Sequence, residues 1–317
     1  MVTIATWNVE NFYRPGGEFG PKTEADYQAK LNALASTISS SQAEIVGLQE
    51  VGDPAALADL VAALGGHWFT QVSSAPDSRD IRVALLSKIE LHSQVDVVDL
   101  PPELGGGRAD DQGGLLTKMG RGALQVTATV GGVPITLINC HLKSKLLSFP
   151  NGRFAPRNED ERARYGVYAL NRRAAESGTV RIHANSVLDG NGRDIAVVVL
   201  GDLNDGVDAA TTQMLLGPGG SEIGSGAEMR PDQGDAWRLW DLAPLIPEDR
   251  RYSRIYRGRG ELIDHILISR ALLEKVTSVD SLVDQPVPLP SITDNPNARK
   301  NAPGSDHAPV VAILDVG

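Results

Sequence analysis

Six short segments each place an acidic, amide or imidazole side chain at or just beyond the end of an apolar run. They are Thr6-Trp7-Asn8-Val9-Glu10, Leu48-Gln49-Glu50-Val51, Asn139-Cys140-His141-Leu142-Lys143, Gly201-Asp202-Leu203-Asn204-Asp205, Leu262-Ile263-Asp264-His265 and Ser305-Asp306-His307-Ala308. A single residue of this kind is ordinarily a turn former or a helix cap. Their recurrence describes a set, because strand ends are where a rigid scaffold holds polar groups around a cleft. Hard divalent cations such as Mg²⁺ take oxygen ligands and keep several waters, so one or two carboxylates and an amide oxygen suffice when the metal is shared with a phosphate. Asn8, Glu50 and Asp306 carry those donors. Attack by water also needs a proton acceptor, for which Asp202 is the candidate, with Asn204 two residues on and placed on the same side by strand alternation. His307 titrates near neutrality; a carboxylate partner such as Asp264 would raise its pKa, fix its orientation and let it touch phosphate as a cation or move protons.

The same alternation removes two decoys. Cys140 and His141 are adjacent, so on one strand they point to opposite faces, which argues against a Cys-His nucleophilic pair and makes Cys140 a core residue. If Asp264 faces the cleft, His265 faces away and is structural. The chain has no Gly-x-Ser-x-Gly elbow, no Gly-x-x-x-x-Gly-Lys loop, no paired-histidine zinc helix and no dinucleotide glycine pattern.

The elements that must position these residues are legible as short aliphatic and β-branched runs: Val2–Trp7, Ile45–Leu48, Val83–Leu86, Ala123–Val130, Ile135–Cys140, Ile195–Leu200, Leu262–Ile268 and Val310–Leu314. Gly131-Gly132-Val133-Pro134 between two of them predicts a hairpin. Helical spacing appears at Tyr27, Leu31, Leu34 and Ile38, and again at Leu57, Leu60, Val61 and Leu64. A longer helix is expected from a cap at Asn158, with Glu159, Asp160 and Glu161 complementing its dipole. Its inward stripe is expected at Ala163, Val167, Leu170 and Ala174, leaving Arg162, Arg164, Arg172 and Arg173 toward solvent or substrate. Pro101–Gly114, Gly217–Gly226 and Pro286–Pro303 read as long surface loops, and with no internal repeat the 317 residues are expected to form one α/β domain of packed layers.

A net charge of −10 argues against a generic nucleic-acid coat protein, since phosphate binding relies on clustered Lys and Arg. Two basic segments run against that balance and suggest a locally positive mouth: Lys143, Lys145, Arg153, Arg157, Arg162, Arg164, Arg172 and Arg173, then Arg250, Arg251, Arg254, Arg257 and Arg259. A single cysteine excludes an internal disulfide and a cysteine-rich zinc site. No run approaches membrane-span length, and with Met1 as the start no secretory signal precedes the first strand, so a cytoplasmic location and no membrane partner are expected.

In this order the six segments resemble the endonuclease/exonuclease/phosphatase superfamily, whose members include deoxyribonuclease I, abasic-site endonucleases, inositol-polyphosphate phosphatases and neutral sphingomyelinases. Leu-Gln-Glu-Val holds the counterpart of the principal metal-binding Glu (Glu50), Asn8 that of the first-strand Asn, and Gly-Asp-x-Asn matches Asp202 and Asn204. Asp264 matches the histidine-orienting Asp, and Ser-Asp-His gives Asp306 and His307. His141 matches the histidine near the leaving group in deoxyribonuclease I-like members. The resemblance implies a four-layer sandwich, two mixed β-sheets packed face to face with helices outside, using Mg²⁺ or sometimes Mn²⁺ or Ca²⁺ for direct water attack on phosphorus. One position departs: many relatives carry an acid where Arg82 stands, to pair with the counterpart of His141. Arg82 is therefore a candidate for binding substrate phosphate or for an outward salt bridge, while Lys143 and Lys145 are candidates for a phosphate-binding rim.

The expected function is a metal-dependent nuclease or related phosphodiesterase, acting on a phosphate ester such as DNA or RNA, with no obligate protein partner. The alternative is a phosphatase or phosphodiesterase acting on a small metabolite or lipid headgroup, favoured by the acidic charge and low aromatic content. A non-catalytic module is disfavoured because Glu50, Asp202 and His307 are all present.

Overall fold

Alternation along the central strands sets the architecture of the protein, seen here in a computed structural model that describes residues 1–226, 230–293, 295 and 298–317. The described residues form strands β1 (Val2–Phe12), β2 (Ile45–Val51), β3 (Phe69–Val72), β4 (Arg82–Ser87), β5 (Leu91–Asp99), β6 (Lys118–Val130), β7 (Val133–His141), β8 (Ala196–Asp202), β9 (Leu239–Asp241), β10 (Arg254–Tyr256), β11 (Arg259–Glu261), β12 (Asp264–Ser269), β13 (Val276–Ser281), β14 (Ser291–Ile292) and β15 (Val310–Leu314). The helices are α1 (Glu24–Ser41), α2 (Pro54–Leu64), α3 (Glu159–Leu188), α4 (Ala210–Leu216) and the single turn α5 (Arg270–Leu273). Positions 294, 296 and 297, within the expected loop Pro286–Pro303, lie outside the described residues.

Two six-stranded mixed sheets, β13-β15-β1-β2-β4-β3 and β5-β6-β7-β8-β12-β9, carry the fold, beside a small sheet β11-β10-β14. Each large sheet has one parallel pair at its centre, β1/β2 joined through α1 and β7/β8 joined through α3. Even-numbered residues of β1 and β8 (Val2, Ile4; Ala196, Val198, Leu200) meet Ile135, Leu137, Ile266 and Ile268 between the sheets. Odd-numbered residues face out: Ala5, Trp7 and Val9 pack under α1 and α2, while Val197 and Val199 pack under α3 and α4. Both faces of the central strands of both sheets are thus buried, giving helix, sheet, sheet, helix, and each fully buried aliphatic side chain contributes roughly 1.5–3 kcal/mol. No helix of the described residues is long and apolar enough to cross a membrane.

Below the cleft the sheets are tied by polar side chains. Gln49 Nε2 donates to Thr6 Oγ1 (3.1 Å) and to Asn139 Oδ1 (2.7 Å), and Asn139 Nδ2 donates to the carbonyls of Leu48 (3.0 Å) and Ala84 (2.8 Å) in the opposite sheet. Gly47 makes this approach possible, because a Cβ there would stand 2.2 Å from Leu200 Cδ1 and 3.2 Å from Asn139 Cγ.

The hairpin falls where expected, β6 and β7 turning through Gly131 and Gly132 at φ 55° and 83°. Asn158 caps α3 by accepting from Glu161 N at 2.9 Å. The inward face of α3 differs from expectation. Val167 and Leu170 are exposed, and the buried stripe is Tyr165, Ala169, Arg173, Glu176, Val180, Ala184 and Leu188. Arg173 is not a solvent-facing cation: its Nε meets Asp205 Oδ2 at 2.8 Å, and its Nη1 donates to the Lys143 carbonyl at 3.0 Å. The helix's first half covers backbone N–H groups and a carboxylate rather than aliphatic strand faces, so charged residues are the ones satisfied by pointing inward.

Candidate active site

The inner rows that are aliphatic in the middle of the sandwich turn polar at one end. On β1 the row Ile4, Thr6 ends in Asn8; on β7 Leu137, Asn139 ends in His141; on β8 Val198, Leu200 ends in Asp202; antiparallel β12 brings Asp264 to the same level beyond Ile266. Strand pairing sets His141 directly opposite Asp202 and Asp202 opposite Asp264, so three side chains from three strands stand in one line. Asn8 closes the gap between sheets, its Nδ2 donating to Asp202 Oδ2 at 2.9 Å. The parallel pairs make this possible, because their crossover helices return the chain so that both carboxyl ends open at one edge.

His307 enters this line from the last loop. Ser305 Oγ donates to Asn8 O (2.6 Å) and accepts from His307 N (3.0 Å), while Trp7 Nε1 donates to His307 O (2.8 Å), fixing Ser-Asp-His against β1. Its Nδ1 donates to Asp264 Oδ2 at 2.6 Å, an oxygen that also accepts from Ser253 Oγ at 2.6 Å. Burial opposes the imidazolium, but the Asp264 carboxylate outweighs it, joined by Asp306 and Asp202, and lifts the His307 pKa to about 10. Asp202 is pushed up to about 6, by burial and then by the Asp264 charge, against the hydrogen bond from Asn8. Asn204 lies just past β8 at φ 54°, its backbone N donating to Asp202 Oδ1 (2.9 Å) and its Nδ2 to Leu142 O (2.9 Å). It shares the cleft with Asp202 through this turn, not through strand alternation.

Outside that line stands a carboxylate group. Glu50 sits at φ 64° and accepts from Asn11 N through Oε2 at 2.8 Å; Glu10, at φ 51°, accepts from the Asp306 backbone N at 3.0 Å and pairs with Arg299 Nη2 at 2.9 Å. Glu10, Asn11, Glu50 and Asn204 are four of ten described non-glycine residues in left-handed backbone, and all four line one cleft of about 630 Å³. Such strain persists where the surroundings over-determine it, as at sites of function. Glu10 is pushed up to about 7, by burial and then by neighbouring Asp306. Asn8, Glu50, His141, Lys145, Asp202, Asn204, Asp306 and His307 all line this cleft, and Asp264 supports His307 from beneath.

Arg82, for which phosphate binding or an outward salt bridge is expected, takes the second course with Asp80 at 3.9 Å, and one expected rim residue, Lys143, is elsewhere. Arg82 does not line the cleft: its Nε donates to the Asp80 carbonyl at 3.2 Å, because the turn before β4 folds the guanidinium back on itself and sends Arg79 to the cleft instead. Lys143 is likewise absent, its Nζ donating to the carbonyls of Ser144 (2.9 Å) and Leu146 (2.8 Å) beneath the loop. Burial and then Arg121 lower its pKa to about 8. Lys145 reaches the rim but is held by Asp205 at 2.9 Å. Of the basic segments, Lys145, Arg162 and Arg254 line the cleft; Arg250 pairs with Asp280 at 2.8 Å and Arg251 with backbone carbonyls. His265 is structural as expected, bridging Asp241 Oδ2 and Asp205 O, both at 2.9 Å. Buried Cys140 packs under α3. Sequence reasoning missed Arg79, Arg121 and Arg299. Only the Gly-Arg-Gly context of Arg121, with no bulky neighbour beside the charge, marks one of them.

Carboxylate oxygens and an amide oxygen are the donor set of a hard divalent cation. Among the described residues, two places in the cleft could hold one. The ligand atoms of Asp202, Asp264 and His307 lie within 4.8 Å of one another, but there the protonated imidazole already supplies a cation. In the outer group, Glu50 and Asp306 beside Asn8, Arg299 and Lys30 offset part of the carboxylate charge, yet Glu10 is still raised by burial and then by Asp306, a repulsion that a further cation would relieve.

The fold has solved counterparts. The human Nocturnin catalytic domain with bound sulfate anion is 16% identical at TM-score 0.58, over 99% of this chain and 94% of that one. A mannosyl-6-phosphatase of Bacteroides thetaiotaomicron VPI-5482 is 16% identical at 0.56, over 99% of this chain and 100% of that one. A 3'-5' exonuclease of Neisseria meningitidis is 19% identical at 0.55, over 99% and 100%. No curated protein matches the sequence. The sequence profile described as the Endonuclease/Exonuclease/phosphatase family matches residues 5–307, from the first strand to the histidine of Ser-Asp-His. The chain belongs to the Endonuclease/Exonuclease/phosphatase family, whose members are hydrolases acting on phosphoesters.

Proposed function

We propose that this protein is a divalent-cation-dependent phosphodiesterase, and within that class a nuclease acting on DNA or RNA. The observation that carries the reading is the single line His141, Asp202, Asp264, His307 opening beside Glu50 and Asp306 in one cleft. Glu50 and Asp306, with Asn8, are the residues that would hold Mg²⁺, or Mn²⁺ or Ca²⁺ in its place. A cation there would neutralise a phosphoryl oxygen and the charge that develops on it. Asp202, with its pKa near 6, is a carboxylate at neutral pH and basic enough to take the proton of the attacking water. Asn204 holds one Asp202 oxygen through its backbone N–H and orients the phosphate beside it. His307, kept cationic by Asp264, donates to a phosphoryl oxygen from a fixed position, which a solvated side chain would not hold. Arg79, Arg121 and Arg254 add positive charge to the cleft of an acidic protein, as a polyanionic substrate requires.

The second reading, hydrolysis of a small phosphorylated metabolite or lipid headgroup, is favoured by one observation. The cleft is bounded by Leu146, Leu147 and Phe154 and by Tyr256 and Ile292, and its volume of about 630 Å³ lies in the range of small-molecule sites. The test incubates purified protein with Mg²⁺ or Mn²⁺ and plasmid DNA, single-stranded DNA, RNA, bis-para-nitrophenyl phosphate and inositol phosphates. Nuclease action predicts turnover of nucleic acid that excess chelator abolishes, and a loss on the order of 10² or more in Asp202→Ala and His307→Ala. Turnover of small phosphomonoesters alone would select the second reading. Full activity in chelator would reject the mechanism.

A further inference from the structure

His141 stands where a proton donor to the leaving group is expected, yet its surroundings forbid that work. Arg121 Nη1 lies 2.5 Å from Nδ1 and 2.9 Å from Nε2 of the ring. A guanidinium carries only donors, so one ring nitrogen presents its lone pair to Arg121 while the other carries the single proton of the neutral ring; a doubly protonated imidazole would set N–H against N–H. Burial and then Arg121 hold the imidazole's pKa well below its usual 6.5. His141 is therefore a neutral ring that accepts from Arg121 through one nitrogen, with Asp202 Oδ2 3.4 Å from its Nε2, and the fixed cation beside it is Arg121.

The guanidinium is held from the backbone outward. Arg121 sits in Gly120-Arg121-Gly122, where the Gly120 N donates to Glu176 Oε1 at 2.8 Å and the Gly122 N to Ala75 O at 3.0 Å. Gly122 has to be glycine, since a Cβ would stand 2.9 Å from Ala75 Cβ. The other Glu176 oxygen accepts from Lys143 N at 2.7 Å, two residues past His141, so one buried carboxylate anchors both the arginine's strand and the histidine's. Asp77 Oδ2 stands 3.5 Å from Arg121 Nε on the side away from the ring. The tip of the side chain lines the cleft beside His141 and Asp202.

We propose that Arg121 is a catalytic residue of the phosphoester hydrolysis proposed above, donating hydrogen bonds to the leaving oxygen, with His141 as its positioning residue. As water's oxygen forms its bond to phosphorus, Asp202 receives the water's proton and the bond from phosphorus to the leaving oxygen breaks. The electron pair stays on that oxygen, which departs as an anion against the Arg121 N–H groups and takes a proton from solvent. An arginine cannot itself give up the proton at neutral pH, so its help scales with the charge left on the oxygen.

That scaling is the test. Methyl aryl phosphodiesters with ring substituents from 4-nitro to 4-methyl differ little in size but span leaving groups from weakly to strongly basic. With wild type, Arg121→Gln and Arg121→Lys, kcat/KM is plotted against leaving-group pKa in the presence of Mn²⁺. Arg121→Gln is expected to lose about tenfold on the nitrophenyl ester and on the order of 10³ on the methylphenyl ester, giving a steeper slope, with Arg121→Lys between. Added guanidinium ion should restore Arg121→Ala most on the poorest leaving group. Parallel slopes, or a uniform loss without guanidinium rescue, would overturn the assignment and leave Arg121 a structural cation. If the wild type turns over none of the esters and no substrate of the wider panel, the hydrolase reading itself fails, a result distinct from parallel slopes.

Discussion

Replacing Asp264 by asparagine tests the electrostatics of the site in one step. The amide keeps the shape and offers an oxygen to both donors now on Oδ2, His307 Nδ1 and Ser253 Oγ, each at 2.6 Å, but removes the charge. His307 rises from 6.5 to about 10 in the folded protein. At about 1.4 kcal/mol per pKa unit that represents roughly 5 kcal/mol of preference for the imidazolium, an order-of-magnitude figure. Without the Asp264 charge, burial acts against Asp306 and Asp202 alone and the pKa falls toward 6.5. At pH 7.5 the cationic fraction then drops from nearly all to about one tenth, so kcat/KM should fall at least about tenfold. The sign of the second effect is the same. Asp202, now at about 6, is raised in part by Asp264, and removing that charge lowers it. In the wild type, activity is expected to rise with pH through about 6 as Asp202 loses its proton and to fall as His307 loses its own near 10. In Asp264→Asn both limbs move acidward together, and part of the lost rate returns between pH 5 and 6.5. The measurement is the pH profile of kcat/KM on bis-para-nitrophenyl phosphate. An unmoved alkaline limb, or a pH-independent loss, would refute the pairing.

Two further outcomes follow from packing. Arg82→Ala should leave kcat/KM within about twofold, because the polar contacts of the side chain are with Asp80 in its own turn and it does not line the cleft; a tenfold loss would return Arg82 to the substrate. Gly47→Ala forces a methyl into the 2.2 Å approach to Leu200 and should lower unfolding stability by about 1–3 kcal/mol in a urea titration, with an unchanged midpoint contradicting the close sheet contact.

The strands that carry the site could be read from the sequence, because their aliphatic rows and terminal polar residues follow period 2. Val310–Leu314 has the bounds expected, and β1, β7 and β8 extend one to five residues past the apolar run into Asn8, His141 and Asp202. Edge strand β5 was illegible: Leu91–Asp99 leaves much of its length exposed and carries no apolar run. The buried face of α3 is not legible in the sequence, because period 3.6 locates a stripe of apolar residues and here the buried stripe includes Arg173 and Glu176, satisfied by Asp205 and by backbone N–H groups. Spacing along the chain could not place Arg79, Arg121 or Arg299, since each reaches the cleft through a turn or an extended side chain whose direction tertiary contacts decide. Asn204 reached its expected place by a different route, a left-handed turn.

The central claim is that a cation held by the outer acids faces the line of Asp202 and His307 across the phosphate. A crystal grown with Mn²⁺ and inorganic phosphate, measured for anomalous scattering at the manganese edge, tests it directly. A manganese peak is expected within bonding distance of Glu50 and Asp306 oxygens, with phosphate between it and His307, and the peak is expected to vanish in Glu50→Ala. A peak enclosed by Asp202, Asp264 and His307, or phosphate bound away from His307, would contradict it.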